Sequence, residues 1–427
     1  MNFTCIACHA EFPLAENIHT CPKCGGLLDV DYAFRHPSPD PRDLWLERRK
    51  SFEPPDRSGV FRFREMIPFL DDVSHVTTLG EGNTPLLEAP AAAQYAGLEC
   101  LRFKHQGFNP TGSFKDNGMV AGVARARSLG MKLVACVSTG NTSASMAAYS
   151  AAAGLRAMVF VPRGEIALGK LAQALEYGAA TLQVEGNFDT ILKLLFDLAP
   201  RLGMYLLNSV NPFRLEGQKT IMAELLEQCE WRVPDWIVVP GGNLGNVSAF
   251  GKGLRELRQM GLISRLPRLL VVQAEGAAPL YRMLRDAAAT LTPVDHPATL
   301  ATAIKIGAPV SWPKAVRELH ATSGLCEMAT EQEIADAKAV IGRCGIGCEP
   351  ASAATLAGIK KLTARGVIAQ SDDVVAVLTG HLLKDPEYIL SYHGGKLAGI
   401  SSTFANRPVE VEATAAALRA AIESLRQ

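Results

Sequence analysis

The stretch "WIVVPGGNLGN", from Trp236 to Asn246, joins a short apolar run to a loop rich in glycine and asparagine. The apolar run is continuous rather than alternating, which is typical of a strand buried on both faces of a parallel sheet. Glycines directly after such a strand allow several backbone N–H groups to converge on an anion. The glycines at 241, 242 and 245 fit neither the dinucleotide nor the Walker fingerprint, so the alternatives are a monophosphate cradle and a plain turn.

Similar apolar runs recur along the chain on both sides of this stretch. They are LVACVS (133–138), AMVFVP (157–162), ATLQVE (180–185), MYLLN (204–208), LLVVQAE (269–275) and VVAVLTG (374–380). Amphipathic segments such as 166–178 and 188–201 lie between them and have the length of a crossover helix. The predicted class is therefore α/β, with parallel sheets covered by helices.

Composition narrows the class of partner. The chain has 427 residues, enough for two or three domains, and its 43 basic and 43 acidic residues give a net charge of +0. No global field draws it to nucleic acid or to a membrane surface, so we expect a small-molecule partner. No apolar run reaches the roughly 18 residues that span a bilayer, and the N-terminus lacks signal-peptide features. We therefore expect a cytoplasmic protein that binds neither nucleic acid nor membrane.

The first thirty residues contain two CxxC pairs, Cys5 with Cys8 and Cys21 with Cys24. Four thiolates so spaced are typical of a closed structural zinc site, and a redox pair is the less favoured interpretation because it needs no second pair. The proline-rich and charged segment 35–58 is predicted to be a linker with a short helix. The six other cysteines are expected to be buried reduced thiols: Cys100, Cys136, Cys229, Cys326, Cys344 and Cys348.

Three further loops stand at points where a parallel sheet would place ligand-binding groups. They are "NPTGSFKDNG" (109–118), which contains Lys115, "STGNTSAS" (138–145), and Thr379-Gly380-His381. Taken singly, they could be a surface lysine, an ordinary helix cap and a structural strand end. Taken with the glycine loop, they supply a Schiff-base lysine, a carboxylate site, a phosphate site and a partner for a ring nitrogen. That combination indicates a pyridoxal-phosphate site.

The same segments resemble the sequence blocks of the threonine synthase family, from about Thr78 to about Pro386. The blocks are NPTGSFKDNG, STGNTSAS, NSVNPFRLEGQKT (208–220), GGNLGN, ATAIKIGAPVSW (301–312), CEPASAA (348–354) and LTGHLLKD (378–385). The resemblance implies a fold type II pyridoxal-phosphate enzyme: two open, twisted parallel-sheet domains with the active site in the cleft, preceded by a small zinc ribbon. The implied boundaries are 1–34 (ribbon), 35–75 (linker and helical segment), 76–116 with 208–427 (large domain) and 117–207 (small domain).

The resemblance also implies a role for particular residues. Lys115 would be the catalytic residue and would bind the cofactor as a Schiff base, with Phe114 against the ring, Asn141 on the 3-hydroxyl and Thr379 at the pyridine nitrogen. The cofactor phosphate would lie among Gly241, Gly242, Asn243, Gly245 and Asn246. The substrate carboxylate would be bound by Ser138, Thr139 and Thr142, and the substrate phosphate by Asn208, Ser209 and Arg214. Zinc would be held by Cys5, Cys8, Cys21 and Cys24.

The implied reaction converts O-phospho-L-homoserine and water to L-threonine and phosphate, in a protein expected to be a homodimer. Gln106 stands where the family usually has an acidic residue, and Asn117 where arginine is common, which concerns substrate preference more than reaction type. The alternatives are a cysteate synthase or threonine dehydratase-like enzyme and, less favoured, a catalytically inactive zinc-ribbon binding protein. A dehydratase would have no use for a second anion site at Arg214.

Overall fold

A computed structural model describes residues 1–164 and 168–424, except for the side chains of 168–170 and 189. In these residues a six-stranded sheet has the order β12-β11-β10-β13-β5-β4, parallel apart from the edge pair of β4 and β5. Its strands are β4 (Leu86–Glu88), β5 (Leu101–His105), β10 (Trp236–Pro240), β11 (Arg268–Ala274), β12 (Leu325–Ala329) and β13 (Val374–Leu378).

A second, parallel sheet has the order β8-β7-β6-β9 and consists of β6 (Leu133–Val137), β7 (Arg156–Pro162), β8 (Ala180–Val184) and β9 (Met204–Leu206). All of its strands lie within 117–207, the segment predicted to be the small domain. The seven predicted apolar runs are all confirmed as strands. Every residue of β10 and β13 is buried, and each large apolar side chain buried in this way contributes roughly 1.5–3 kcal/mol, whereas the edge strand β8 has no fully buried residue. The α/β class is confirmed.

Helices cover both sheets. In chain order the first seven are α1 (Pro41–Arg48), α2 (Pro54–Arg57), α3 (Pro90–Ala96), α4 (Lys115–Ser128), α5 (Asn141–Ala152), α6 (Leu168–Glu176) and α7 (Phe188–Leu198). The rest are α8 (Pro212–Gln228), α9 (Gly245–Gln259), α10 (Pro279–Arg285), α11 (Trp312–Ala321), α12 (Glu331–Arg343), α13 (Pro350–Ala364), α14 (Pro386–His393) and α15 (Ala415–Ser424). Short 3₁₀ helices cover Phe61–Met66, Val73–His75, Gln106–Phe108, Glu275–Ala277, Thr302–Ile304 and Leu382–Lys384.

The sequence-based boundaries are close to these. The predicted helix 188–201 corresponds to α7, and the predicted helix 166–178 to α6, although residues 166 and 167 lie outside the described part. The linker prediction missed that 35–58 has two helices, α1 and α2. No helix among the described residues is both long and apolar enough to cross a bilayer.

The cysteine prediction needs one correction. Cys136, Cys229 and Cys348 are buried, and Cys326 and Cys344 are half-buried, but Cys100 is exposed. Cys100 directly precedes β5 and is exposed although Leu101, the first residue of that strand, is buried, so the buried neighbour in its sequence does not bury Cys100.

The N-terminal ribbon is a small antiparallel sheet of β1 (Asn2–Cys5), β2 (Glu11–Pro13) and β3 (Leu28–Asp31). The sulfur atoms of the four paired cysteines all lie within 4.8 Å of one another. The Sγ atoms of Cys5 and Cys24 are 3.5 Å apart, and those of Cys8 and Cys21 are 3.7 Å apart. Zn–S bonds of about 2.3 Å in a tetrahedron require sulfur separations near ~3.8 Å, which these distances match.

Strand β3 docks on the large sheet's helices through buried charges. Lys314 Nζ donates to Leu28 O and to Asp29 Oδ1, each at 2.7 Å, and Arg317 Nη1 donates to Asp29 Oδ2 at 2.6 Å. Lys252 on α9 donates to Val30 O at 2.6 Å. The ribbon is therefore fixed to α9 and α11 by ion pairs and backbone hydrogen bonds, in addition to its own packing.

We expect Asp29→Asn to lower the free energy of unfolding by about 3 kcal/mol, because it leaves the buried Lys314 ammonium without its charge partner. Denaturant unfolding measures the change, with Asp31→Asn as the matched control on an exposed position of the same strand. Nearby Lys314, Lys252 and Arg317 hold the pKa of Asp29 well below its ordinary value against the effect of burial. The contribution is therefore present at neutral pH and lost in acid. Equal effects of the two substitutions would contradict this account.

Candidate active site

The loop that carries Lys115 is joined to the end of strand β13. Phe114 N donates to Thr379 O at 3.0 Å, Ser113 forms an isolated bridge with Gly380, and His381 N donates to Gly112 O at 2.9 Å. These bonds bring together two segments that lie more than 260 residues apart in the sequence. The predicted Schiff-base lysine and the predicted partner of the ring nitrogen therefore share one edge of the large sheet.

Lys115 is the first residue of α4 and is half-buried. Its Nζ lies 4.3 Å from the centroid of the Phe114 ring, and it forms no ion pair among the described residues. Burial, and to a lesser extent the positive charge of Arg214, lower the pKa of Lys115 to about 7, and the carboxyl group of Glu349 opposes both. An amine with this pKa is about half neutral near pH 7, and only the neutral form can act as a nucleophile or proton acceptor.

Arg214 lies two residues into α8 and is only 2% exposed. One guanidinium nitrogen, Nη1, donates to Leu207 O at 3.0 Å, while the buried Nε has no hydrogen-bond partner. No carboxylate pairs with Arg214 among the described residues, and burial lowers its pKa to about 10. Burying a guanidinium group without an ion pair lowers the stability of the fold unless an anionic ligand binds to it.

Close packing of α4 against α8 places Arg214 near Lys115. A side chain at Gly118 would lie 2.7 Å from Arg214 O, and one at Gly122 would lie 3.4 Å from Arg214 Cγ. Because glycine has no Cβ, the two helix backbones approach closely here. The spacing of Gly118 and Gly122, four residues apart on one helix face, is a sequence signal for this contact that our sequence analysis did not use.

The glycine loop after β10 leads directly into α9. Leu244 precedes this helix in the left-handed conformation, with φ of 64°, and the first N–H groups of a helix have no partner within it. A side chain at Gly242 would lie 3.1 Å from Ala303 O, in the predicted family block 301–312. The loop therefore has the form of an anion cradle at a helix N-terminus.

One side chain, that of Asn243, connects this cradle to a predicted substrate-phosphate residue. Asn243 Nδ2 donates to Ser209 Oγ at 3.0 Å, and Asn243 Oδ1 accepts from Val310 N at 2.9 Å. Asn246 Nδ2 instead donates to Pro240 O at 2.8 Å. The Asn208 side chain also bonds to the backbone: its Oδ1 accepts from Val137 N at 3.2 Å, and its Nδ2 donates to Val137 O at 3.1 Å. In this structure Asn208 holds the end of β6, and a direct role for it in binding phosphate stays a prediction.

The hydroxyl loop after β6 lies at the N-terminus of α5. Ser138, Thr139 and Thr142 are half-buried, and Ser138 Oγ accepts from Gly140 N at 3.2 Å. Asn141, the first residue of α5, donates from Nδ2 to Glu349 Oε2 at 3.0 Å. Glu349 thereby connects the small sheet's loop to the large sheet.

Glu349 was not assigned a role from the sequence. It is 2% exposed, and its second oxygen, Oε1, lies 3.0 Å from Thr379 Oγ1, within hydrogen-bond distance. It stands within the family block 348–354, and a glutamate immediately before Pro350 at a helix start was the available signal. That signal is weak because acidic residues are common near helix N-termini for electrostatic reasons alone.

Asp116, which follows Lys115, supports the loop from inside. Its carboxylate accepts from Thr111 N at 2.7 Å and from Thr111 Oγ1 at 2.6 Å. Burial raises its pKa to about 6, although the bonds from Thr111 oppose this. These contacts show Asp116 holding the turn 109–113 against the start of α4, where the sequence alone gave it no catalytic role.

Comparison with known proteins agrees with this geometry. Residues 77–380 match the family model described as pyridoxal-phosphate dependent enzyme. Threonine synthase of Methanocaldococcus jannaschii is 45% identical over 384 residues, covering 90% of this chain and 93% of that protein. Threonine synthase of Methanosarcina acetivorans is 45% identical over 387 residues, with the same coverage.

The chain belongs to the threonine synthase family of pyridoxal-phosphate dependent enzymes. The crystal structure of threonine synthase from Escherichia coli has a TM-score of 0.72 and covers 100% of both chains at 18% identity, which shows the shared fold. The fold type II architecture implied by the resemblance is confirmed.

The donor set fits the cofactor of the threonine synthase family. Pyridoxal phosphate needs an amine that can lose its proton, an anion cradle for its phosphate and polar partners for its ring. The structure provides the buried Lys115 amine without an ion pair, the N-terminus of α9, and the hydroxyl of Thr379. The individual assignments of Phe114, Asn141, Thr379 and the glycine-loop residues stay predictions.

We expect the apoprotein of this threonine synthase family member to form a Schiff base with pyridoxal phosphate at Lys115 at a rate that rises with pH and levels off above about 7. The neutral amine, which attacks the aldehyde, predominates only above the pKa of Lys115. Borohydride trapping followed by peptide mass spectrometry measures the modified fraction at each pH, with Lys115→Ala as the control. Labelling that is unchanged in Lys115→Ala would contradict the assignment.

Proposed function

We propose that the protein catalyses the conversion of O-phospho-L-homoserine and water to L-threonine and phosphate. The observation that carries this proposal is the buried Arg214 guanidinium, which has no carboxylate partner among the described residues and lies close enough to Lys115 to depress its pKa. A planar guanidinium is suited to bidentate binding of a phosphate group. Its place beside the reactive lysine supports a substrate that carries its own phosphate.

The residues act in a physical order. Bound pyridoxal phosphate supplies the electron sink for carbanion chemistry. Ser138, Thr139 and Thr142 receive the substrate carboxylate at the N-terminus of α5, and Arg214, with Ser209, receives the substrate phosphate. Lys115, once released as a neutral amine, removes the α-proton and later a β-proton.

Carbon–oxygen bonds change at two positions. The C–O bond at the γ-carbon breaks and inorganic phosphate leaves to Arg214, after which the γ-carbon gains a proton. Water then adds its oxygen to the β-carbon and gives up one proton, and a proton returns to the α-carbon. The positive guanidinium stabilises the departing phosphate, and its location fixes the γ-carbon end of the substrate away from the carboxylate loop. A substrate without phosphate would leave the buried Arg214 unpaired and is therefore disfavoured.

The test is turnover of purified enzyme with O-phosphohomoserine, measured as phosphate and threonine formed in equal amounts. The competing assay supplies phosphoserine with sulfite, and a third supplies threonine alone. Turnover of O-phosphohomoserine supports the proposal. Turnover of only phosphoserine with sulfite would assign a cysteate synthase activity instead, and turnover of only threonine would assign a dehydratase.

Arg214→Lys is expected to raise KM for O-phosphohomoserine by about tenfold to a hundredfold, because a charge-assisted bidentate contact is lost while the positive charge remains. Steady-state kinetics and inhibition by inorganic phosphate measure the effect together. Arg258→Lys, at an exposed position of α9, is the matched control. KM and kcat that both stay unchanged would place Arg214 elsewhere than at the phosphate.

We also propose that the ribbon binds one structural zinc ion through Cys5, Cys8, Cys21 and Cys24. The proposal is supported by four sulfur atoms within 4.8 Å of one another and by the chemistry of a four-thiolate set. Elemental analysis is expected to find one zinc per chain, and none after Cys5→Ser with Cys8→Ser. Zinc retained by this double variant would overturn the assignment. The proposed assembly is a homodimer, which sedimentation velocity tests by mass.

A further inference from the structure

Glu349 lies where two predicted cofactor contacts meet. It directly precedes α13, and its two oxygens lie within hydrogen-bond distance of Asn141 Nδ2 and of Thr379 Oγ1, each at 3.0 Å. Asn141 is the residue proposed for the cofactor's 3-hydroxyl, and Thr379 the one proposed for its ring nitrogen. A side-chain amide has two N–H hydrogens to donate, whereas a hydroxyl group has only one. Asn141 can serve Glu349 and a second acceptor, whereas Thr379 has one hydrogen to direct.

Ser352 determines part of the hydrogen-bond direction at Thr379. Ser352 Oγ accepts from Thr379 N at 2.8 Å and from Gly380 N at 3.2 Å. These two donors occupy both lone pairs of the serine oxygen. The serine hydrogen is therefore directed to Thr379 Oγ1, which lies 3.0 Å away. Thr379 accepts this bond and keeps its own hydrogen for another partner.

The protonation state of Glu349 then decides where the Thr379 hydrogen points. An ionised carboxylate only accepts, so Thr379 would have to donate to Glu349 Oε1 and would offer the ring nitrogen nothing but a lone pair. That arrangement suits a protonated ring nitrogen. A protonated carboxyl group instead donates from Oε1 to Thr379, which frees the threonine hydrogen for the lone pair of an unprotonated ring nitrogen.

We propose that Glu349 is protonated in the resting holoenzyme and, through Thr379, holds the pyridine nitrogen of the cofactor unprotonated. Glu349 is a positioning residue, because it acts through Thr379 and not on the substrate. The inference rests on the proposed cofactor site and deepens it: the buried chain Ser352, Thr379 and Glu349 sets the electronic state of the ring.

The surroundings of Glu349 agree with a neutral carboxyl group. Glu349 and Ser352 are almost wholly buried, and burial raises the pKa of Glu349, opposed by the bonds from Asn141 and Thr379. Among charged neighbours, Asp385 raises the pKa of Glu349 further and Lys384 lowers it. Lys115 also faces Glu349, but its own lowered pKa of about 7 leaves the free amine only about half protonated near pH 7. The adjacent Cys348 is buried, and its pKa is raised to about 12, so it adds no charge there.

The deciding comparison is between Glu349→Gln and Glu349→Ala. The glutamine carbonyl can accept from Asn141, and its amide N–H can donate to Thr379, which reproduces the bonds of a protonated carboxyl group without any charge. Each variant and the wild type is reconstituted with pyridoxal phosphate labelled with ¹⁵N in the ring, and the ¹⁵N resonance of the holoenzyme is recorded. Cofactor affinity and kcat are measured on the same samples.

We expect the unprotonated ring resonance in both wild type and Glu349→Gln, with kcat of the glutamine variant within about threefold of wild type. Glu349→Ala should shift the resonance and lower kcat by about tenfold or more, because the Thr379 hydrogen loses its fixed direction and Asn141 loses its partner. A residue with a merely structural role would change cofactor affinity without moving the ring resonance.

A protonated ring nitrogen in the wild type would overturn the inference, and so would Glu349→Gln impaired as severely as Glu349→Ala, since either result means that the carboxylate charge is required. The ring resonance needs only the bound cofactor and no substrate. An enzyme that binds pyridoxal phosphate at Lys115 but does not turn over O-phosphohomoserine would therefore contradict the proposed function and leave this test intact.

Discussion

The active site depends on keeping Lys115 partly buried and without a counter-ion among the described residues. Burial and the neighbouring charge of Arg214 both favour the neutral amine, and the pKa of Lys115 falls to about 7. Neither the burial of Lys115 nor the nearby charge is produced by the residues next to Lys115 in the sequence. The turn before α4 is held by Asp116 from one side and by the end of β13 from the other. A lysine on an exposed helix start would keep its proton and could not act as a nucleophile or base near neutral pH.

Arg214 is held by the helix that carries it, and that helix is anchored by buried ion pairs. On α8, Glu216 pairs with Lys219 at 2.5 Å, Lys219 also reaches Glu256 on α9 at 2.6 Å, and Glu224 pairs with Lys104 on β5. Buried pairs of this kind add little net stability, because desolvation offsets the Coulomb attraction. Their effect here is to fix the position of α8 relative to α4 and α9, since any displacement would leave a charge buried and unpaired. The ribbon is attached to the same group of helices through Lys252 and Lys314, which donate to its backbone. In addition, the ring of Phe3 in the ribbon packs 5.5 Å from the ring of Phe213, the residue before Arg214.

Sequence reasoning was most effective where one local pattern had one structural outcome. Continuous apolar runs such as 236–240 and 374–378 are strands because only burial on both faces satisfies them. Strand β12 was missed because its sequence, LCEMA, has a glutamate at its centre, and Glu327 is buried there only because Arg365 pairs with it at 2.7 Å. Glu349 was missed for a similar reason: its significance comes from Asn141 and Thr379, which are distant in the sequence.

The amino-acid sequence alone was enough to establish the α/β class, the paired cysteines of the ribbon, the lysine with its three strand-end loops, and the family to which these segments belong. Those features depend on residue type and short-range spacing, which the linear chain displays directly. The tertiary structure decided which groups share an environment: the unpaired Arg214 beside Lys115, the commitment of Asn208 to the backbone of Val137, and the hydrogen-bonded chain from Ser352 through Thr379 to Glu349. A pKa and the direction of a hydrogen bond are set by whatever lies within a few ångströms, and folding brings those neighbours from all parts of the chain.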